Sequence, residues 1–292
     1  MSQQISILDF YNHFSDEQSC QDYLARMRWG KHPICPHCKS SKIPYITKIG
    51  YKCSNNKCYK KFTVTVGTIF ESSNKPLQLW FYIIFNHAIN KKNISSHQLS
   101  KNFGTTQTTA WKMSHKLRTT FWQDDSILLS GTIEVDEAFL SKGGTKWTRW
   151  GGVSTRKAPI LGLIERGTGR LIIKEIEDRK RTTILKLINK YVEKGSIIYT
   201  DGASLYKTLK ENYTHEFVNH SEREYVRGNV HTNNIEGIWR MLKSNIRHAH
   251  HSVSSKHVQL YCNELCYRRN TKHLSATEIF DDILLRCINY KN

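Results

Sequence analysis

The chain has 292 residues, and its 44 Lys and Arg outnumber 25 Asp and Glu, giving a formal net charge of +19. That excess favours a polyanionic partner over a basic one. A 38% hydrophobic and 24% charged composition is that of a folded protein, and no apolar run reaches the ~18 residues of a membrane helix. Met1-Ser2-Gln3-Gln4 leads no basic segment into an apolar one, so neither a secretory signal nor a membrane partner is expected.

In chain order, Asp16 or Ser15 caps a predicted helix that runs to Trp29, with Cys20, Tyr23, Leu24 and Met27 at helical spacing. Residues 31–62 are turn-rich, with short strands expected at Ile43–Thr47 and Phe62–Val66. Leu77–Ile89 reads as an apolar helix. Ser95 or Ser96 caps a second helix, Phe103-Gly104 turns the chain, and Thr105 or Thr106 caps a third that reaches Phe121. The last two read as a helix-turn-helix or as a plain helical hairpin, with Trp111 in the core. After Asp124-Asp125 come strands at 133–140, 158–164 and 171–176, the last two joined by a hairpin turn at Arg166–Gly169. A helix at 182–192 and a strand at 196–200 follow, which together indicate a mixed α/β domain. Gly143-Gly144 and Gly151-Gly152 bracket a basic aromatic loop with Trp147, Arg149 and Trp150. The final third is helical: one helix capped by Asn234 or Thr232 and running through Ile246, then helices at 258–267 and 277–288.

Four of the eight cysteines form two pairs, Cys35-Pro-His-Cys38 and Cys53-x4-Cys58, with 14 residues between them. Zinc takes four ligands in a tetrahedron, and two thiolate knuckles close such a site without an open position. The zinc is therefore structural, replacing a core that a module of about thirty residues is too small to build. His37 and His32 could also ligate, but the four cysteines complete the shell. Eight lysines between Lys31 and Lys61 make the module basic, which favours nucleic acid; a spacer with a solvated lysine face is the plain alternative. Cys20, Cys262, Cys266 and Cys287 read as packing thiols in an intracellular protein.

Asp136 lies inside the apolar strand Ile133–Phe139, where an acid is expensive unless paired or bound to metal. Alternation puts Glu134 on its face and Ile133, Val135 and Glu137 on the other. Asp201 leaves an otherwise uncharged strand, and strand exits of α/β sheets are where ligands bind. Glu236 lies near the start of an amphipathic helix, where it could equally serve the helix dipole. Together the three acids could hold two Mg²⁺ ions on a phosphodiester.

At this point the chain resembles the IS1595-type (ISXO2-like) DDE transposases, a bacterial group related to the eukaryotic Merlin elements. Three stretches carry the likeness. They are Cys35–Cys58 with Phe62–Phe70 behind it, Val135-Asp-Glu-Ala-Phe139, and His231-Thr-Asn-Asn-Ile-Glu-Gly-Ile-Trp239 running into Lys243 and Ile246-Arg247. The likeness spans about Asp16 to Asn270. It implies an α/β, RNase H-like catalytic domain over 126–292 with C-terminal helices. A helical segment (1–30), a zinc ribbon (31–70) and a helix-turn-helix DNA-binding region (71–125) precede it.

The resemblance makes Asp136 the first acid, on the first strand, Asp201 the second, after the fourth strand, and Glu236 the third, on a following helix. The family's basic residue maps to Lys243, seven residues after Glu236. Some relatives carry Asn as the third residue, and Asn233 matches it. The implied cofactors are structural Zn²⁺ and two catalytic Mg²⁺ or Mn²⁺. The implied reaction is cleavage of phosphodiesters and joining of 3′-OH ends to target DNA. The implied partners are double-stranded terminal inverted repeats, target DNA and a second copy in a homodimer. Gln107, Thr108, Thr109 and Lys112 would face DNA from the third helix of the front region, while Lys243 and Arg247 would clamp its backbone. His231 would orient a phosphate or the helix start. A bacterial member would sit with the nucleoid in the cytoplasm, a eukaryotic one in the nucleus. Two rival readings keep the fold: a zinc-dependent regulator with inert acids, and a nuclease that cuts without joining.

Overall fold

The computed structural model describes residues 6–90, 92–141, 146–147, 153–154, 157–219, 222–250 and 253–290. It divides the chain into two compact units, Met1–Phe121 with His273–Asn292, and Trp122–Lys272. No helix among the described residues is long and apolar enough to cross a membrane.

In the first unit, α1 (Ile7–His13) starts at a Ser6/Asp9 capping box, and α2 (Glu17–Trp29) at Asp16, whose side chain accepts from the Ser19 amide. Three short antiparallel strands follow, β1 (Tyr45–Thr47), β2 (Gly50–Lys52) and β3 (Lys61–Phe62), in the order β1-β2-β3. The expected strand at Phe62–Val66 thus shrinks to the pair Lys61–Phe62, and β2 is an addition. Phe62 still packs, stacked on Tyr51 at 5.4 Å, but beyond it the chain turns through Thr65 and Thr68 instead of pairing.

The apolar helix α3 (Leu77–Ile89) has Pro76 before it and no side-chain cap of its own. Glu17 supplies one, accepting from the Leu77 and Gln78 amides at 2.9 and 3.1 Å. Helices α4 (Ser96–Phe103) and α5 (Gln107–Arg118) are capped by Ser95 and Thr106, with Gly104 in the left-handed conformation between them. The last helix, Ala276–Ile288, also belongs to this unit. Its Phe280 meets Phe10, Phe14 and Phe81, and the Ile69 amide donates to the Cys287 carbonyl. A single catalytic domain over 126–292 is therefore corrected at its C-terminal end. Periodicity identifies that helix's apolar face, but not which core it completes.

The second unit is built on β4 (Thr132–Ser141), β7 (Lys157–Glu165), β8 (Leu171–Glu175), β9 (Ile197–Thr200) and β10 (Thr214–Phe217), in the order β10-β9-β4-β7-β8. A separate two-stranded pair, β5 (Lys146–Trp147) with β6 (Val153–Ser154), lies between β4 and β7 in sequence. Of the aromatic loop, Gly143-Gly144, Arg149, Trp150 and Gly151-Gly152 lie outside the described residues. Strand β7 runs antiparallel to both neighbours, whereas β4, β9 and β10 are mutually parallel. One face of the sheet packs Ile133, Val135 and Leu163 against α6 (Arg181–Tyr191) and the 3-10 helix Ser204–Glu211. The other packs Ala138, Leu140 and Ile160 against α7 (Asn233–His250) and α8 (Val258–Asn270). This is a mixed α/β, three-layer unit.

Candidate functional site

The four cysteines of the first unit converge. Their sulfurs all lie within 4.8 Å of one another, with Cys38 3.6 Å from Cys53 and Cys35 3.9 Å from Cys58. A tetrahedron of Zn–S bonds near 2.3 Å puts sulfurs about 3.8 Å apart, a spacing that these two pairs already match, so four thiolates suit Zn²⁺. The two knuckles are built alike. Lys39 and Tyr59 take positive φ after the second cysteine of each pair, and their amides bond back to the Cys35 and Asn55 carbonyls. His37 does not ligate; its Nε2 lies 3.4 Å from the Lys61 carbonyl. Cys20, Cys262, Cys266 and Cys287 are buried and form no disulfide, as packing thiols do.

In the second unit, the β4–β9 register pairs Ile133 with Ile198 and Glu134 with Tyr199. Asp201 follows directly after β9 ends at Thr200, near enough for its carboxylate to act on Asp136. Burial raises the Asp136 carboxyl to about 7, and the neighbouring Asp201 and Glu137 carboxylates push the same way. Against them acts the Trp239 indole N–H, which donates to Asp136 Oδ2 at 2.8 Å. Without metal, Asp136 thus keeps its proton to a higher pH than an ordinary carboxyl, and a divalent cation would favour its charged form. Gly202, at φ +77°, turns the chain directly after Asp201, whose Oδ1 accepts the Ala203 amide. Glu137 points to the opposite face, where Tyr206 and Arg179 donate to it.

Trp239 reaches Asp136 because Gly162 stands opposite Asp136 on β7. A Cβ at Gly162 would lie 2.4 Å from the Trp239 ring and 2.8 Å from Ile235 Cδ1. Gly162→Ala is therefore expected to displace the indole and cost about 1–3 kcal/mol of stability through overpacking. Chemical denaturation checks the loss, and a shifted Trp239 indole N–H resonance checks the displacement.

Helix α7 is anchored to β4 at two points. Trp239 binds Asp136, while the Asn234 and Ile235 amides donate to Glu134 Oε2 at 2.9 and 3.1 Å. The cap expected from Thr232 or Asn234 is thus supplied by Glu134 from the neighbouring strand. Glu236 sits between the anchors, half-buried, and accepts a 3.3 Å bond from the Thr232 hydroxyl. Asn233, exposed, begins the helix one turn earlier. Lys243 and Arg247 are exposed further along it, and seven residues bring Lys243 back to the angular position of Glu236. His231 belongs to the helix start: its Nδ1 lies 2.8 Å from Arg166. Among the described residues, only the cysteines form a group of three or more ligating side chains within 4.8 Å of one another. The three acids do not close on a single ion. A two-ion site is wider, because ions about 4 Å apart set their outer ligands further apart still.

At the start of α5, Thr108 and Lys112 are exposed, Gln107 donates to Ser96 Oγ at 2.8 Å, and Thr109 shares the Thr106 hydroxyl at 2.9 Å. Trp111 is not core, correcting the expectation. It is 37% exposed and packs on the His115 ring at 4.0 Å.

Comparison with known proteins agrees with these two units. Residues 128–270 match the ISXO2-like transposase domain and residues 15–61 the transposase zinc-ribbon domain. A Halobacterium salinarum protein described as an uncharacterized protein in transposable element ISH50 is 27% identical, over 93% of this chain and 97% of its own. The chain belongs to the IS1595-type, ISXO2-like transposases with an N-terminal zinc ribbon. A chain from a cryo-EM structure of a simian T-cell lymphotropic virus intasome with PP2A regulatory subunit B56 gamma overlays with a TM-score of 0.31 and 14% identity. That overlay covers 61% of this chain and 64% of the other, under two thirds of its length.

Glu134, Trp239, Gly162 and Arg166 have no role assigned by sequence reasoning. Only the same-face pairing of Glu134 with Asp136 offered a signal.

Proposed function

We propose that this transposase cuts phosphodiesters at the ends of its element and joins the freed 3′-OH to target DNA, using Asp136, Asp201 and Glu236 on an RNase H-like core. The observation that carries the reading is Asp136, a half-buried acid on the central strand that accepts the Trp239 indole N–H and lies near a second acid, Asp201. Acids placed on the sheet's first strand, after its fourth strand and on the helix beyond its fifth support the RNase H-like assignment.

Asp136, Asp201 and Glu236 would hold two Mg²⁺ or Mn²⁺, with Asn233 one helical turn from Glu236 as the rival third ligand. Bound ions supply charge stabilisation at phosphorus and acidify water, so no histidine base is needed. Asp136 accepts the Trp239 N–H, which fixes its orientation. Lys243 and Arg247 neutralise phosphates and hold the scissile strand in register. Two copies of the chain bring two element ends together. Full-length protein with an end-containing duplex and Mg²⁺ tests the reading: nicked ends and joined products are expected. Nicks without joining would favour the nuclease, and no cleavage with retained binding the regulator.

DNA recognition is assigned to the basic ribbon and to α4–α5. Binding by the full-length chain is expected to fall steeply with salt as phosphate contacts release counterions. Lys112→Ala should reduce the salt slope by about one and weaken all sequences alike, whereas Thr108→Ala should narrow the preference for end sequence over a scrambled duplex. Fluorescence-anisotropy titrations across salt concentrations check both; unchanged slope and preference would move recognition off α5.

A further inference from the structure

We propose that Glu134 is a positioning residue for the third acid, acting by capping α7 from the neighbouring strand; this rests on the catalytic reading above. Glu134 has no solvent exposure, and its carboxylate is fully engaged. Oε2 takes the Asn234 and Ile235 amides. Oε1 takes Asn234 Nδ2 and Arg166 Nε, both at 2.7 Å. Those amides are the helix-start donors that an N-cap side chain ordinarily satisfies. Thr232 leaves them to Glu134 and turns its hydroxyl on Glu236.

Arg166, in the β7–β8 turn, extends the clamp. It donates to the carbonyls of Asn229 and His231 and to His231 Nδ1, so the segment leading into α7 is tied to the same carboxylate. His231 Nδ1 thereby acts as an acceptor, leaving the ring proton on Nε2. A buried ion pair adds little net stability over apolar packing. What this one adds is geometry: the β7–β8 turn, the segment leading into α7 and the first turn of α7, with Asn233 and Glu236, are fixed to the strand that carries Asp136 two residues on. Groups that orient metal ligands in this way commonly change metal affinity 10–100-fold when altered.

Glu134→Gln turns an amide NH₂ toward donors that need an acceptor. In a Mn²⁺ titration of the full-length chain followed by electron paramagnetic resonance, it is expected to raise the binding midpoint about tenfold or more. Adding Asn234→Asp restores an acceptor for that NH₂ and is expected to recover most of the loss, which a general fold defect would not permit. A wild-type midpoint in Glu134→Gln, or no recovery in the double variant, would overturn the proposal. If Glu134→Gln does not fold, Asn234→Ala takes its place, since it keeps Glu134 and both backbone bonds. A severalfold rise is then expected, and none would overturn the proposal. Absence of Mn²⁺ binding by the wild-type chain would instead remove the catalytic reading, and this proposal with it.

Discussion

Asp136→Asn is expected to lower Mg²⁺-dependent cleavage of an end-containing duplex on the order of 10³-fold or more, with DNA affinity unchanged. In-line attack tolerates little displacement of the reacting groups, and Asp136 is one of the residues that would hold the ions. The same variant has an opposite effect on stability. Burial, together with the Asp201 and Glu137 carboxylates, raises the Asp136 carboxyl from 3.8 to about 7. The folded state therefore binds this proton more tightly than the unfolded state, and the metal-free protein loses stability as pH rises from about 4 to 7. Asn carries no charge to bury. At pH 8 without metal, Asp136→Asn should be more stable than wild type by about 2–4 kcal/mol, and the difference should vanish below about pH 4. Urea denaturation at the two pH values checks this. Equal stability at pH 8 would mean that the carboxylate is not held against its own charge.

Cys35→Ser, or removal of zinc by a chelator, is expected to unfold the ribbon while Trp122–Lys272 keeps its own unfolding transition. The three strands β1–β3 hold only eight residues, and their core is Cys35, Cys53 and Phe62 with Trp29, Tyr51, Cys58 and Val66 packed around it. Such a core cannot offset the entropy of ordering the segment, whereas structural zinc contributes about 10–16 kcal/mol in comparable modules. Metal analysis should give about one zinc per chain. The β1–β3 resonances should collapse on chelation while those of β4 and β7 stay. A ribbon that stays folded without metal would show that the cysteines are not its fastening.

The cysteine cluster was legible because zinc ligation imposes a short local spacing, and the structure brings together all four sulfurs that the spacing selects. Helices α2, α3 and α7 were legible from apolar periodicity and capping residues. Pairing was not. Strand β10 and the parallel β4–β9 register depend on partners distant in sequence, so Asp136 and Asp201 could be nominated as acids but not set near each other. Glu134 read only as a face-mate of Asp136, because its role needs a helix start from a hundred residues away. Gly162 and Trp239 form a similar pair, in which a missing Cβ on one element makes room for a ring on another. Trp111 departs from its expected place in the core because helical spacing identifies a face, and only packing decides whether the ring at its edge is covered.

Asp136, Asp201 and Glu236 as holders of two divalent cations can be tested most directly by anomalous diffraction from crystals of the full-length protein with an end-containing duplex and Mn²⁺. Two anomalous peaks about 4 Å apart are predicted, both in contact with Asp136, one also with Asp201 and the other with Glu236. A second peak held by Asn233 with Glu236 turned away would reassign the third ligand. Manganese bound elsewhere on the DNA complex, with none at Asp136, would contradict the account.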